Sequence, residues 1–179
     1  GIPNFNLFRP CDAVETSECW AIALEQTTTP SGMALSRQGV PTLRLEHTEE
    51  NLSSRGAYVI AEANGGDRKA TILATGSEVF IAMEARKILQ EEGIPTAVVS
   101  MPCWELFEVQ DKKYKDNVLG QVVRVAVEAG ISQGWDKYIL PEGGFVGMTG
   151  FGASAPAPEL YKHFGITSEN VVKAIKERL

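Results

Sequence analysis

The sequence predicts an α/β fold with a mostly parallel sheet, and three observations lead to this prediction. Short apolar segments at 70–74, 96–101 and 122–127 are typical of buried parallel strands. An amphipathic helical segment joins the first two of them, and such a β-α-β unit favours parallel pairing. The 179 residues, 44% of them hydrophobic, are enough to enclose a core of this kind.

The charge balance excludes several classes of protein. Asp and Glu number 23 against 17 Lys and Arg, a formal net charge of -6, whereas nucleic-acid binders carry a basic face. No apolar run reaches the roughly 20 residues of a membrane-spanning helix, and we identify no secretory leader. We therefore expect neither nucleic acid nor a membrane as partner.

The cysteines and histidines indicate no metal site or disulfide framework. Cys11, Cys19 and Cys103 are odd in number and form no Cys-x-x-Cys pair, so reduced thiols in a cytoplasmic protein are the prediction. His47 and His163 lie far apart in sequence, which disfavours a histidine-rich metal centre.

The first part of the chain, up to about residue 45, predicts one helix and one strand. Asp12 and Glu15 form a capping-box-like pair at the start of the helix, and a threonine-rich run ends it after Glu25. An apolar strand follows at 32–36. Because one helix and one strand cannot close a core, we expect this part to belong to a sheet whose other strands lie outside the chain.

Polar residues 46–55 predict a linker, and a second α/β unit begins at residue 56. Its first elements are an edge strand at 57–61 and a helix that begins with Ser77 as N-cap and ends at Gly93. The other predicted elements are a strand at 70–74, a strand at 96–101, a helix at 105–117, a strand at 122–127, a helical turn at 132–136, a glycine-rich loop at 141–155, a helix at 158–164 and a last helix capped by Thr167 or Ser168.

Two flexible-looking segments are candidates for ligand binding. The turn Thr75-Gly76-Ser77 lies between a strand and a helix, where free N–H groups bind anions, but the glycine fingerprints of nucleotide sites are absent and a plain turn is favoured. The glycine run at 143–152 could be a lid. We favour a surface loop, since the run contains no ionisable residue.

Side chains at strand ends are the other candidates. Arg37 follows the first apolar strand and could bind a phosphate, although from the residues alone a structural ion pair is favoured. Glu128 follows the strand at 122–127 and could act as an acid or base, or pair with a cation. A ligand contact by His47 would rest on weak evidence, and we assign no role to His163. At Cys103 we expect an inert thiol.

Read together, four motifs resemble those of transketolases. They are Arg-Pro-Cys-Asp-Ala-Val-Glu at 9–15, Leu-Ser-Arg-Gln at 35–38, Val-Glu-Ala-Gly at 127–130 followed by Gly-Trp, and the ending that starts Phe-Gly-Ala-Ser-Ala-Pro at 151. The similarity covers essentially all 179 residues in the same order. Cys11 stands where alanine is usual in the family, a small change that a core accepts.

The resemblance implies an enzyme that uses thiamine diphosphate and Mg or Ca, of the pentose phosphate and Calvin pathways. Such enzymes transfer a two-carbon ketol unit from a ketose phosphate to an aldose phosphate, and they form homodimers. By this resemblance, residues 1–45 are the end of the pyrimidine-binding domain, 46–55 are a linker, and 56–179 are the three-layer, Rossmann-like carboxy-terminal domain.

The resemblance also assigns Arg37 to the substrate phosphate, which reverses the interpretation from the residues alone. It places no catalytic, cofactor-binding or metal-binding residue in this chain, because the family's motifs for those roles precede this segment. The chain alone is therefore expected to be inactive. The alternative is the carboxy-terminal module of a 1-deoxyxylulose-5-phosphate synthase or a 2-oxoacid dehydrogenase E1 β subunit, with a structural, dimerisation or nucleotide-binding role. Leu-Ser-Arg-Gln and the ending favour transketolase over both.

Overall fold

A five-stranded sheet forms the centre of the larger part of the molecule, in a computed structural model that describes residues 2–179. Its strands are β3 (Tyr58–Ala61), β4 (Ala70–Ala74), β5 (Thr96–Ser100), β6 (Val123–Val127) and β7 (Gly144–Val146). Their spatial order is β3-β5-β4-β6-β7. All neighbouring pairs are parallel except β3 with β5. The prediction of an α/β fold with a mostly parallel sheet is therefore confirmed.

Helices cover both faces of this sheet. Alternate residues of β4 face opposite ways: Ile72 joins one hydrophobic cluster and Leu73 the other. The first cluster includes α2 (Glu78–Glu91) and α6 (Ser168–Lys176), with α5 (Ala157–Phe164) packed beside it. The second includes α3 (Trp104–Glu108) and α4 (Lys112–Leu119). The arrangement has three layers, as expected from the resemblance.

Within residues 2–179 no helix is long and apolar enough to cross a membrane.

The first part of the chain adds a separate, two-stranded parallel sheet. It consists of β1 (Asn6–Phe8) and β2 (Ser31–Met33), joined by α1 (Ala13–Glu25). Asp12 caps α1 as predicted, accepting a hydrogen bond from the Glu15 amide at 2.9 Å. β2 is shorter than the strand predicted at 32–36 and begins one residue earlier. Its pairing follows the three residues of β1 and ends with the Ala34 amide donating to the Phe8 carbonyl.

The two-stranded sheet lies against the carboxyl ends of β4 and β5. The Arg9 amide donates to the Pro102 carbonyl at 2.8 Å, and the Gly76 amide donates to the Arg9 carbonyl at 3.0 Å. Phe8 and Cys103 meet in a third, small hydrophobic cluster between the two parts. The strand ends of both sheets consequently face the same region of the molecule.

The glycine-rich segment predicted as a loop contains a strand instead. β7 pairs with β6 in parallel, from Val125 opposite Gly144 to Val127 opposite Val146. A Cβ on Gly143 would lie 2.8 Å from the Arg124 carbonyl oxygen. The glycine here permits close approach of two strands rather than flexibility, and a three-residue strand flanked by glycines has too little apolar periodicity to be predicted.

One helix begins where predicted but lacks the expected cap bond, and another predicted helix is divided. The first is α2, which begins directly after Ser77 as predicted. Ser77 has helical dihedral angles and its side chain makes no capping hydrogen bond, because the chain already turns at Gly76, where φ is +58°. The predicted helix at 105–117 is two helices. Asp111 separates them and caps α4, accepting from the Tyr114 amide at 2.8 Å.

Candidate functional site

The carboxyl ends of β2, β4 and β6 open into one cleft of about 300 Å³, which we call the Arg9 cleft. Six polar side chains give it its chemistry, and they come from four separate parts of the sequence. They are Arg9, Ser36, Gln38, Ser77, Glu78 and Tyr161. Ligand crevices of α/β proteins lie at this end of the strands.

Arg9 lies between two buried carboxylates. Its guanidinium forms an ion pair with Glu128 and is 3.7 Å from Glu78. The Trp135 indole N–H donates to the other oxygen of Glu128. Burial lowers the pKa of Arg9, and the Glu78 charge opposes that shift. Of the two roles considered for Glu128, the structure therefore shows pairing with a cation.

Tyr161 of α5 connects three elements through its hydroxyl group. The hydroxyl donates to Glu78 Oε1 at 2.5 Å and lies 3.0 Å from the Ser77 Oγ. It accepts from Gln38 Nε2 at 3.5 Å. Burial, followed by the adjacent Glu78 carboxylate, raises the pKa of Tyr161 to about 12, so the phenol stays protonated at neutral pH. The loop after β2 is thereby joined to the second part of the chain.

Arg37 lies in that same loop, directly before Gln38. Its side chain is exposed, and within residues 2–179 it makes no hydrogen bond or ion pair. The structural ion pair favoured from the residues alone is thus absent from this part of the chain. A role in phosphate binding stays a prediction.

The turn Thr75-Gly76-Ser77 holds the Arg9 backbone. The Gly76 amide and the Thr75 hydroxyl both donate to the Arg9 carbonyl, at 3.0 and 3.3 Å. Because these donors are already used, the geometry supports the favoured interpretation of a plain turn over an anion site.

The remaining candidates have no partner suited to catalysis in the described structure. His47 is exposed in the segment between the two sheets, and His163 is exposed on α5 against the Phe164 ring. All three cysteines are free, as predicted, and all three are buried. Burial raises the pKa of Cys103 to about 12, which indicates an inert thiol.

The described side chains do not fit a metal and diphosphate group. Among residues 2–179, no set of three or more His, Cys, Asp or Glu side chains is placed to hold a metal ion. Glu78, which lines the Arg9 cleft, and Glu128, which pairs with Arg9, are instead held by Arg9, Tyr161 and Trp135.

Comparison with known proteins decides the family. Residues 56–167, more than half of the chain, match the transketolase-like TK C-terminal domain. The chain belongs to the transketolase family. This confirms the resemblance inferred from the four motifs, and nothing in the likenesses supports the alternative thiamine-diphosphate enzymes.

Individual transketolases resemble the chain along nearly its whole length. The transketolase of Sinorhizobium medicae (strain WSM419) is 60% identical over 178 residues, which are 99% of this chain and 26% of that protein. The structure of transketolase from Leishmania mexicana has a TM-score of 0.87 at 44% identity, covering 98% of this chain and 25% of that one. A transketolase structure from Pichia stipitis, in complex with sedoheptulose-7-phosphate, has a TM-score of 0.87 at 37% identity, with the same two coverages. The chain thus spans about a quarter of the length of the transketolases that it matches.

Sequence reasoning named several residues of the Arg9 cleft but missed the contacts that build it. Arg9 belongs to a quoted transketolase motif, yet nothing in the motif tells that its side chain pairs with Glu128, 119 positions later. Tyr161 looks like one more residue of an amphipathic helix. Its contact with Gln38 spans 123 positions, and no local pattern carries that information.

Proposed function

We propose that this chain forms the carboxy-terminal part of a transketolase, which transfers a two-carbon ketol unit from a ketose phosphate to an aldose phosphate. The observation that carries the proposal is the likeness to transketolases over 98–99% of the chain in both sequence and structure. A Pichia stipitis relative holds sedoheptulose-7-phosphate, a sugar phosphate of the expected kind.

We propose a division into domains that the two separate sheets support. Residues 1–45, with the two-stranded sheet, form the end of the pyrimidine-binding domain, 46–55 form the linker, and 56–179 form the carboxy-terminal domain. In support, the family match begins at residue 56, two positions before the five-stranded sheet.

The exposed apolar surface of the first part supports the view that it is one portion of a larger domain. A parallel sheet of two three-residue strands is too small to be stable by itself. On α1, Trp20 and Leu24 are 48% and 76% exposed, one helical turn apart. Further strands and helices of the same domain would cover these side chains.

We propose that Arg37 binds the phosphate group of the sugar substrate. Arg37 lies in the loop after β2, four residues beyond Met33, and its side chain is exposed with no carboxylate partner in the described part of the chain. A guanidinium binds phosphate through two parallel hydrogen bonds. Such a contact orients the substrate and takes no part in the chemical step.

The remaining chemistry is assigned to parts of the enzyme outside this chain. Thiamine diphosphate, with Mg or Ca, supplies the carbanion chemistry when bound. We further propose a homodimer that works in the cytoplasm on sugars of the pentose phosphate and Calvin pathways. The three buried, free thiols support a reducing compartment.

The assignment is tested by comparing the full-length protein that contains this segment with the 179-residue chain. Each receives thiamine diphosphate, Mg²⁺, xylulose 5-phosphate and ribose 5-phosphate, and sedoheptulose 7-phosphate is measured. We expect product from the full-length protein only. Turnover by the short chain would show that catalytic groups lie within it, and no product from the full-length protein would contradict the assignment itself.

A further inference from the structure

The loop that carries Arg37 makes few hydrogen bonds to the rest of the molecule. It begins after Ala34, whose amide donates to Phe8, and it ends at Leu43, whose amide donates to Asp12 at 2.9 Å. Between these two points, within residues 2–179, one hydrogen bond leaves the loop. It is the bond of 3.5 Å from Gln38 Nε2 to the Tyr161 hydroxyl.

The acceptor of that bond is itself held firmly. The Tyr161 hydroxyl donates to Glu78 Oε1 at 2.5 Å, and the Ser77 Oγ lies 3.0 Å away. Glu78 is 2% exposed and lies 3.7 Å from Arg9, whose backbone is bonded to the turn before α2. The hydroxyl therefore has a fixed position relative to β4, and it offers a lone pair toward the loop.

We propose that Tyr161 is a positioning residue for Arg37. By accepting a hydrogen bond from Gln38, which lines the Arg9 cleft, it holds the loop that carries the neighbouring Arg37. The inference rests on the phosphate contact proposed for Arg37. It gives the carboxy-terminal domain a part in substrate binding without any contact between that domain and the sugar.

Removal of the Tyr161 hydroxyl should weaken recognition of the phosphate group selectively. In full-length Tyr161→Phe, we expect kcat/KM for ribose 5-phosphate as acceptor to fall about three- to tenfold, the effect of losing one hydrogen bond. The fall should come from KM, with kcat within about twofold. With ribose, which has no phosphate, kcat/KM should stay within about twofold of wild type.

Two further variants make the test specific. Gln38→Leu should reproduce the selective effect on ribose 5-phosphate, and the double variant should lose no more than Tyr161→Phe alone, because Tyr161→Phe has already removed the contact with Gln38. Tyr138→Phe is the matched control. It also loses a tyrosine–glutamate hydrogen bond, of 2.8 Å to Glu108, but it lies on the opposite face of the sheet.

The outcomes separate this inference from the proposed function. If Arg37→Ala impairs the use of ribose 5-phosphate selectively while Tyr161→Phe and Gln38→Leu do not, the positioning role is overturned and the phosphate role stands. If Tyr161→Phe lowers kcat/KM equally with both acceptors, the role of Tyr161 is structural only. Tyr138→Phe shows what such an unselective effect of lost stability looks like. If Arg37→Ala itself affects both acceptors equally, the phosphate role and the inference that rests on it both fail.

Discussion

Arg9 and Glu128 form an ion pair that joins the segment after β1 to the carboxyl end of β6, 119 positions later. The Glu128 side chain is 10% exposed and the Arg9 side chain 29%. Glu78 contributes a second carboxylate on the other side of the guanidinium. The pair therefore fixes the position of the two-stranded sheet relative to the five-stranded one.

Removal of Arg9 should destabilise the chain strongly. Arg9→Ala leaves two buried carboxylates without their cation, and we expect a loss of about 2–4 kcal/mol in the free energy of unfolding, measured with urea. Lys112→Ala is the control. It breaks an exposed pair with Asp116 and should cost less than about 0.5 kcal/mol. Equal effects of the two substitutions would contradict a structural role for the buried pair.

Gly56 should tolerate no side chain. Its φ is +80°, and a Cβ there would collide with the backbone of Cys103 and Phe107. We expect Gly56→Ala to cost at least about 3 kcal/mol in unfolding free energy. Gly93 has a similar φ of +76° but nothing within 4 Å, so Gly93→Ala should cost only about 1–2 kcal/mol. Similar losses at both positions would show that the packing around Gly56 is looser than described.

The Glu15 carboxyl should make the stability of the chain depend on pH. Glu15 is fully buried, and burial raises its pKa despite hydrogen bonds from Ser100 at 2.5 Å and Tyr58 at 2.7 Å. The folded state therefore binds this proton more tightly than the unfolded state, whose glutamate has a pKa of about 4.3.

The sign of the effect follows from that difference. The contribution of Glu15 to stability is fully present below about pH 4 and declines as the pH rises through the folded-state pKa. Glu15→Gln cannot ionise, so its free energy of unfolding should rise relative to wild type between about pH 5 and 8. Urea unfolding at both values measures this, and a constant difference would refute it.

The thiols should be unreactive in the native chain. Cys11, Cys19 and Cys103 are all buried, and burial raises the pKa of each, for Cys103 to about 12. Since only the thiolate reacts, a disulfide reagent at pH 8 should modify none of them within the time in which it modifies all three in denaturant. Rapid modification of any one in the native chain would indicate local opening.

Elements with a strong local pattern were predictable. The five residues of β4, Ala70–Ala74, are all apolar or small, which the sequence shows directly. The structure confirms that all five are buried. The helix that ends before Gly165 was also predicted, because glycine commonly ends helices. In the structure Gly165 has a φ of +69°, which favours glycine. The family resemblance depends on motifs of this local kind.

Features made by contacts between distant residues were not predictable. β7 forms because it pairs with the edge of β6, a contact between distant residues. The glycines in and around β7 allow close packing, and no pattern in residues 143–147 indicates this. The same holds for the Arg9 cleft, where Gln38 meets Tyr161 across 123 positions. Pattern reasoning reached the single residues of the cleft at best, and the fold alone brings them together.

The acceptor specificity of full-length Arg37→Ala shows whether this residue binds the substrate phosphate. Rates are measured with ribose 5-phosphate and with ribose, at varied acceptor concentration. Arg55→Ala serves as the control, since Arg55 is also exposed but contacts the Tyr114 ring away from the Arg9 cleft.

We expect Arg37→Ala to lower kcat/KM for ribose 5-phosphate about ten- to hundredfold, through KM, because a charged hydrogen-bonding group is lost. With ribose the change should be within about twofold, and Arg55→Ala should resemble wild type with both acceptors. Equal losses with ribose and ribose 5-phosphate in Arg37→Ala would show that Arg37 does not bind the phosphate group.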